Sequence, residues 1–271
     1  MGFSLALLIA GEVVAADYVD QRFTVRGFGT LGMTYNETRG AEFIRDINQL
    51  DGPANSWSHH VDTRLGLQLG WRFNTKLDAV VQGVSRYNHE GRYDPQLTWA
   101  FLRYAPEAGK QFRLGRVALD MYMLADSRDV GYAYLWVRPP VDYYGVRHIT
   151  HIDGGDMTLK YPLGQGLLWG KLYAGIADEK ISGGLDGVVF DAQGTRVYGG
   201  HLNYQWDAWH LQVGATELQY QLDASSQYRQ AIQFAEYFDP ALAKVLKDII
   251  EPVNMQITSI GLAYDSGRLY V

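Results

Sequence analysis

The sequence has no cysteine, so disulfides and thiolate metal sites are excluded outright. It has no run approaching the roughly 20 apolar residues of a membrane-spanning helix. It lacks any basic excess: 24 Lys and Arg stand against 30 Asp and Glu, a formal net charge of −6. With no basic run or RNA-binding motif to offset that balance, nucleic acid is not an expected partner. What the chain has instead is turn formers and amphipathic aromatics, with 30 Gly, 19 Tyr and 7 Trp.

The most informative stretch is 61–73. Val61, Thr63, Leu65, Leu67, Leu69, Trp71 and Phe73 suit one apolar face, while Asp62, Arg64, Gly66, Gln68, Gly70 and Arg72 form the opposite one. A period of two is a strand signal, and this one is long beside the usual 5–6 residues or so of a soluble strand. About 9–11 tilted residues cross a bilayer, and the aromatic end fits an interfacial girdle. Such a strand touches lipid on one face and water on the other.

Similar segments recur at 22–36, 76–88, 96–105, 110–117, 154–161, 168–178, 195–206, 208–222 and 255–265, and 268–271 begins one more. That makes about eleven strand starts, all antiparallel if the turns are read as hairpins. Short turns near 74, 107, 164, 207 and 266 alternate with longer links at about 37–59, 89–94, 118–153, 179–194 and 223–254. Short turns at one rim and long loops at the other, with aromatics beside the short turns, describe an all-β transmembrane barrel. Bacterial barrels close with an even number of strands, so the expectation is a longer protein, extended by about 100–150 residues. Residues 1–16, apolar and ending Val14-Ala15-Ala16, read as a secretory signal peptide, leaving 17–271 as the barrel domain.

The third long link is unusually apolar and aromatic for a solvent loop, with Met121, Tyr122, Met123, Leu124, Tyr134, Trp136 and Tyr144 among its residues. Strand four is apolar on both faces apart from Arg103. The economical reading is that the loop folds inward against Trp99 and Phe101. Together with the opening 23–31, the segment Arg64-Leu-Gly-Leu-Gln, Arg113-Leu-Gly-Arg116 and the loop 129–140, this architecture resembles the general porins of Gram-negative bacteria. The resemblance implies a barrel of about sixteen strands, of which about eleven are present here, assembled as a homotrimer in the outer membrane among lipid and lipopolysaccharide. It implies a channel rather than an enzyme, with no cofactor, passing ions and small hydrophilic solutes. The chain departs from the family in ending at Val271 without the terminal aromatic.

Charge placement agrees. Taking polar faces as inward, Arg26, Arg64, Arg86, Arg103 and Arg113 are the expected constriction wall. Asp120, Asp126, Arg128, Asp129, Tyr134, Trp136 and Arg138 are the expected constriction loop. Basic wall against acidic loop would set a transverse field in a narrow pore. The alternative is a substrate-specific channel in which Tyr134, Trp136 and Arg138 line a ligand path.

Enzymatic readings are weaker. His148-x-x-His151 and His59-His60 lie on loops without the helical spacing of a zinc protease, no Gly-x-Ser-x-Gly elbow is present, and no His-Ser-Asn grouping of a barrel phospholipase stands out. One helical hairpin is expected at 225–251, capped by Ser225 or Ser226 and restarted by Asp239-Pro240. Ile232, Phe234, Ala235, Leu242, Val245, Leu246 and Ile249 suggest that it lies over the mouth.

Overall fold

A computed structural model describes residues 22–134, 140–145, 149–182 and 188–265. Period-two alternation becomes ten long strands: β1 (Phe23–Thr30), β2 (Arg64–Arg72), β3 (Leu77–Arg86), β4 (Pro95–Tyr104), β5 (Lys110–Ala118), β6 (His151–Leu163), β7 (Gly166–Ile176), β8 (Arg196–Trp206), β9 (Trp209–Tyr220) and β10 (Val253–Tyr264). Each pairs antiparallel with the next, so the sheet is one meander in chain order. Among the described residues β1 and β10 do not pair with each other, and the sheet is open. The expected signal peptide at 1–16 and the strand start at 268–271 lie outside the described residues. The first strand is shorter than expected: it ends at Thr30, and Thr34–Asn36 turns away to pair with Ser56–Ser58. No helix of the described residues is long and apolar enough to cross a membrane, which says nothing of strands.

The two faces of the sheet differ as the alternation requires. On β2, Leu65, Leu67, Leu69 and Trp71 are exposed while Arg64 is buried. The same holds around the sheet, with Leu102, Leu114, Leu172, Leu202, Ile260 and Leu262 outward and exposed. Beside the short turns the outward aromatics touch across strands: Phe23 with Trp71, Tyr104 with Phe112, Trp209 with Tyr264. The fold is therefore apolar outside and polar inside over much of its wall.

The sheet must also curl. Asp129 is bound by β2, and the carbonyl of Met121, eight residues earlier, accepts from Ser259 of β10 at 2.8 Å. One short segment thus reaches both β2 and β10 on the same face, and wall residues of β3 through β9 share one buried cluster there, as a curled sheet brings about.

Inside that concavity sits an apolar cluster. Val80, Phe101, Val117, Ile152, Tyr173, Val197 and Leu218 of the wall close around Leu119, Met121 and Ile149 of the third link, with Trp99 packed alongside. A bulge opposite Gln82–Gly83 gives β4 one extra residue, so Thr98 also turns inward and accepts from Gln82 Nε2 at 3.0 Å. The apolar inner side of strand four thus meets the loop as expected.

The helical hairpin forms where its caps place it: α1 (Ser226–Phe238) and α2 (Pro240–Ile250), with the Asp239 carboxylate accepting from Ala241 N and Leu242 N, both at 3.1 Å. Its packing differs from the expectation. Tyr228 and Ile232 pack with Phe190, Leu246 and Ile250, whereas Phe234, Leu242, Val245 and Ile249 are exposed. The reason is the small sheet of 180–182, 189–191 and 223–224, which offers α1 an apolar surface that pattern counting does not reveal.

Candidate constriction site

Register places Arg64 of β2 directly opposite Arg86 of β3, both on the concave face. Two like charges facing each other across a ladder repel, and a buried pair needs a counter-charge. The third link supplies it. Asp129 Oδ1 accepts from Arg64 Nη1 at 3.0 Å and from Arg86 Nη1 at 2.7 Å. Burial works against the charge on Asp129, but Arg86, Arg64, Arg128 and Arg45 outweigh it and hold its carboxyl well below the usual carboxylate range.

The first long link joins this cluster. Arg128 binds Asp46, Arg45 Nη1 binds Asp62 Oδ1 at 3.3 Å, and Arg45 Nη2 donates to the Arg128 carbonyl at 3.4 Å. All of Arg45, Arg64, Arg86, Arg128, Asp46, Asp62 and Asp129 are buried. Burial raises the Asp46 carboxyl pKa, yet Arg128 and Arg86 bring it below its ordinary value.

A second anchor lies farther round the wall. Asp120 accepts from Lys171 Nζ of β7 at 2.7 Å and contacts His201 Nε2 of β8 at 3.1 Å. Despite burial, hydrogen bonding from His201 and the charge of Lys171 hold its carboxyl well below the usual range. The His201 ring has its orientation fixed from behind, since Asn203 Nδ2 lies 2.6 Å from Nδ1 and Asn203 Oδ1 lies 2.9 Å from His210 Nε2. Its Nε2 edge is thereby turned to Asp120. Asp126 stands apart: burial and the nearby charge of Asp120 push its carboxyl up.

The loop carboxylates Asp120 and Asp129 thus face basic wall residues, but only part of the expected wall takes part. Arg64 and Arg86 meet the loop. Arg103 does not: it donates from Nε and Nη2 to Asp78 Oδ2 at 3.0 and 2.7 Å. Arg113 makes its ion pair with Asp156 instead, and only the reach of its charge is felt by Asp126 of the loop. Both partners sit directly opposite on the neighbouring strand, and a lateral carboxylate at cross-strand distance outcompetes a loop farther away. Arg26 lies beside Gln68, away from the loop cluster. Arg128 turns from the wall to Asp46. Asp153, read as part of the link, belongs to β6 and binds Arg116. Tyr134 donates to the Leu124 carbonyl at 2.7 Å, bracing the loop itself. Trp136 and Arg138 lie outside the described residues.

Sequence reasoning did not single out Arg45, Asp46 and His201. The adjacent Arg45-Asp46 pair sits in a link with no periodicity, so no pattern marks it. His201 does lie on an alternating strand, on the polar face with Asn203, and that signal was available.

No family model matches the chain, and no curated protein matches it. Among solved structures it is similar to an in vitro folded, trimeric OmpT of Vibrio cholerae (11% identity, 90% of this chain and 84% of that chain, TM-score 0.26). It is similar also to an anion-selective porin from Comamonas acidovorans (11% identity, 89% and 74% covered, TM-score 0.31). A third is Salmonella typhi OmpF in complex with daunomycin (11% identity, 74% and 75% covered, TM-score 0.28). The functional reading therefore rests on the chain's own geometry.

Proposed function

We propose that this chain is the wall and constriction of an outer-membrane channel that passes ions and small hydrophilic solutes by passive diffusion. One observation carries the reading: large apolar side chains are exposed on the outer face of the meander while charged ones are buried on its concave face. In water that arrangement is unfavourable, since contiguous exposed apolar surface of this extent signals an apolar surrounding. In a bilayer it is what a barrel wall requires. On this reading 1–16 is the signal peptide, 17–271 belongs to a barrel of about sixteen strands assembled as a trimer, and the Asp129–Arg64–Arg86 cluster holds the loop across the lumen.

The test is reconstitution of the protein in planar bilayers. Step conductances that rise in proportion to salt concentration are expected. Saturating flux with current block by one solute would favour a substrate-specific channel instead. Stable insertion without any conductance overturns both.

A further inference from the structure

Near the short turns, one lateral row of charged side chains crosses the concave face. Asp78 lies opposite both Arg72 and Arg103, Arg103 opposite Arg113, and Arg113 opposite Asp156. Arg72 N donates to the Arg22 carbonyl at 2.6 Å, which extends the row to the residue before β1. From Arg22 to Asp156 the signs therefore run plus, plus, minus, plus, plus, minus. The carboxylates are taken at one end of the row only. Asp78 is held by Arg103 and Asp156 by Arg113.

At the other end, Arg72 and Arg26, the latter four residues beyond Arg22 on the same chain, have no carboxylate within ion-pair distance among the described residues. With Arg103 and Arg22 they line a cavity of about 140 Å³, where Asp78 is the one acid among the described residues and Thr24 and Gln68 are neutral hydrogen-bonding groups. The loop cluster around Asp129 does not reach it. Arg26 and Arg103, expected at the constriction, both line this cavity instead.

We propose that this cavity is an anion site for a phosphate group, either inorganic phosphate or the phosphate of a small ester. Four arginines line this one space with a single carboxylate among the described residues, which leaves it strongly positive and favours a multiply charged anion. Each guanidinium presents a planar fork that matches phosphate oxygens two at a time. Arg26 and Arg72 offer their forks unshared and Arg103 the edge not used by Asp78, so a dianion is neutralised without breaking an existing pair. The volume admits one tetrahedral oxyanion. The site faces the concave side, so its anion comes from water. Lipid headgroups lie on the other face.

The experiment is calorimetric titration of the detergent-solubilised full chain with inorganic phosphate and, separately, glycerol phosphate, at low salt. Binding of either is expected, and Arg26→Ala with Arg72→Ala should weaken it at least tenfold. Arg26→Lys with Arg72→Lys, which keeps the charges but removes the forks, should weaken it less than the alanines. Arg92→Ala, on an exposed link, should leave it unchanged. Circular dichroism confirms that each variant retains its strand content. No binding of either phosphate, or equal binding by wild type and the folded double alanine variant, overturns the proposal. Because the readout is binding in detergent, it stands or falls independently of whether the protein conducts.

Discussion

Arg113 donates from Nε to both oxygens of Asp156, at 3.0 and 2.9 Å, and Nη2 reaches the same carboxylate. The Asp156 side chain is fully buried and the Phe101 ring centroid lies 5.0 Å from the guanidinium carbon. The pair is therefore internally neutral and structural. Arg113→Ala leaves a buried carboxylate without its cation and should destabilise the fold by about 3–5 kcal/mol, read as a lowered unfolding midpoint in detergent. Reversal potential in bilayers should hardly move. A large selectivity change with unaltered stability would show that Arg113 faces the pore after all.

Asp129→Asn is expected to lower stability as well, but with a change of selectivity. It removes the charge that reconciles Arg64 with Arg86 and leaves two buried guanidiniums facing each other, a loss of about 3 kcal/mol or more. The segment around 120–134 should become cleavable by added protease and selectivity should shift toward anions. The pH dependence has a definite sign. The folded carboxyl lies below its unfolded value of about 3.9, so its stabilisation is present above that value and is lost as pH falls through the folded one. Wild-type loop protection should fade on acidification below about pH 4, whereas the variant, already unprotected, should show no such transition.

How much of this was legible in the sequence can be argued element by element. Ten strands, their alternating faces and the inward apolar loop follow from period two and turn spacing, because a strand shows one face to each solvent wherever it pairs. Arg64 and Arg86 followed as well, since inward position alone brought them to the loop. Arg103 and Arg113 did not, because their partners depend on register. A shift of two residues between β3 and β4 would have separated Arg103 from Asp78 while leaving the alternation untouched. The Arg45-Asp46 contribution was illegible for a different reason. It comes from a link without periodicity, whose course is fixed by tertiary pairs such as Ile47 N to the Gly145 carbonyl at 2.8 Å.

Asp126 should behave as a latent destabiliser. Burial and Asp120 raise its carboxyl above the ordinary value, against the smaller opposing effects of Lys171, Ser127 and Arg113. The folded state then binds its proton more tightly than the unfolded chain. Stability from this group is greatest below about pH 3.9, the unfolded value, and declines as pH rises through the raised folded one. Asp126→Asn should be more stable than wild type at neutral pH and equal to it in acid. Unfolding midpoints measured across pH check this. A variant less stable than wild type at pH 7 would mean that the carboxylate has a cationic partner.

Gly115 marks the seam on which the β4 to β5 contacts depend. Its φ is +128°, and a Cβ there would lie 2.3 Å from the Ala100 carbonyl oxygen. It pairs with Phe101, next to the last rung of the ladder, Ala100 with Arg116, beyond which β4 and β5 no longer pair. Gly115→Ala therefore meets two obstacles, a backbone region that L residues avoid and a clash with rigid backbone. The strand must move, taking with it Phe101 and the row through Arg103 and Arg113. Gly164, in a short turn, has φ +59° and its nearest atom at 3.9 Å, so Gly164→Ala meets only the left-handed penalty of about 1–2 kcal/mol. The expected ranking is a fall in unfolding midpoint for Gly115→Ala at least twice that for Gly164→Ala, with loss of hydrogen-exchange protection across β4 and β5 in the former alone. Equal effects would mean that the seam relaxes freely and that Gly115 serves only its backbone angle.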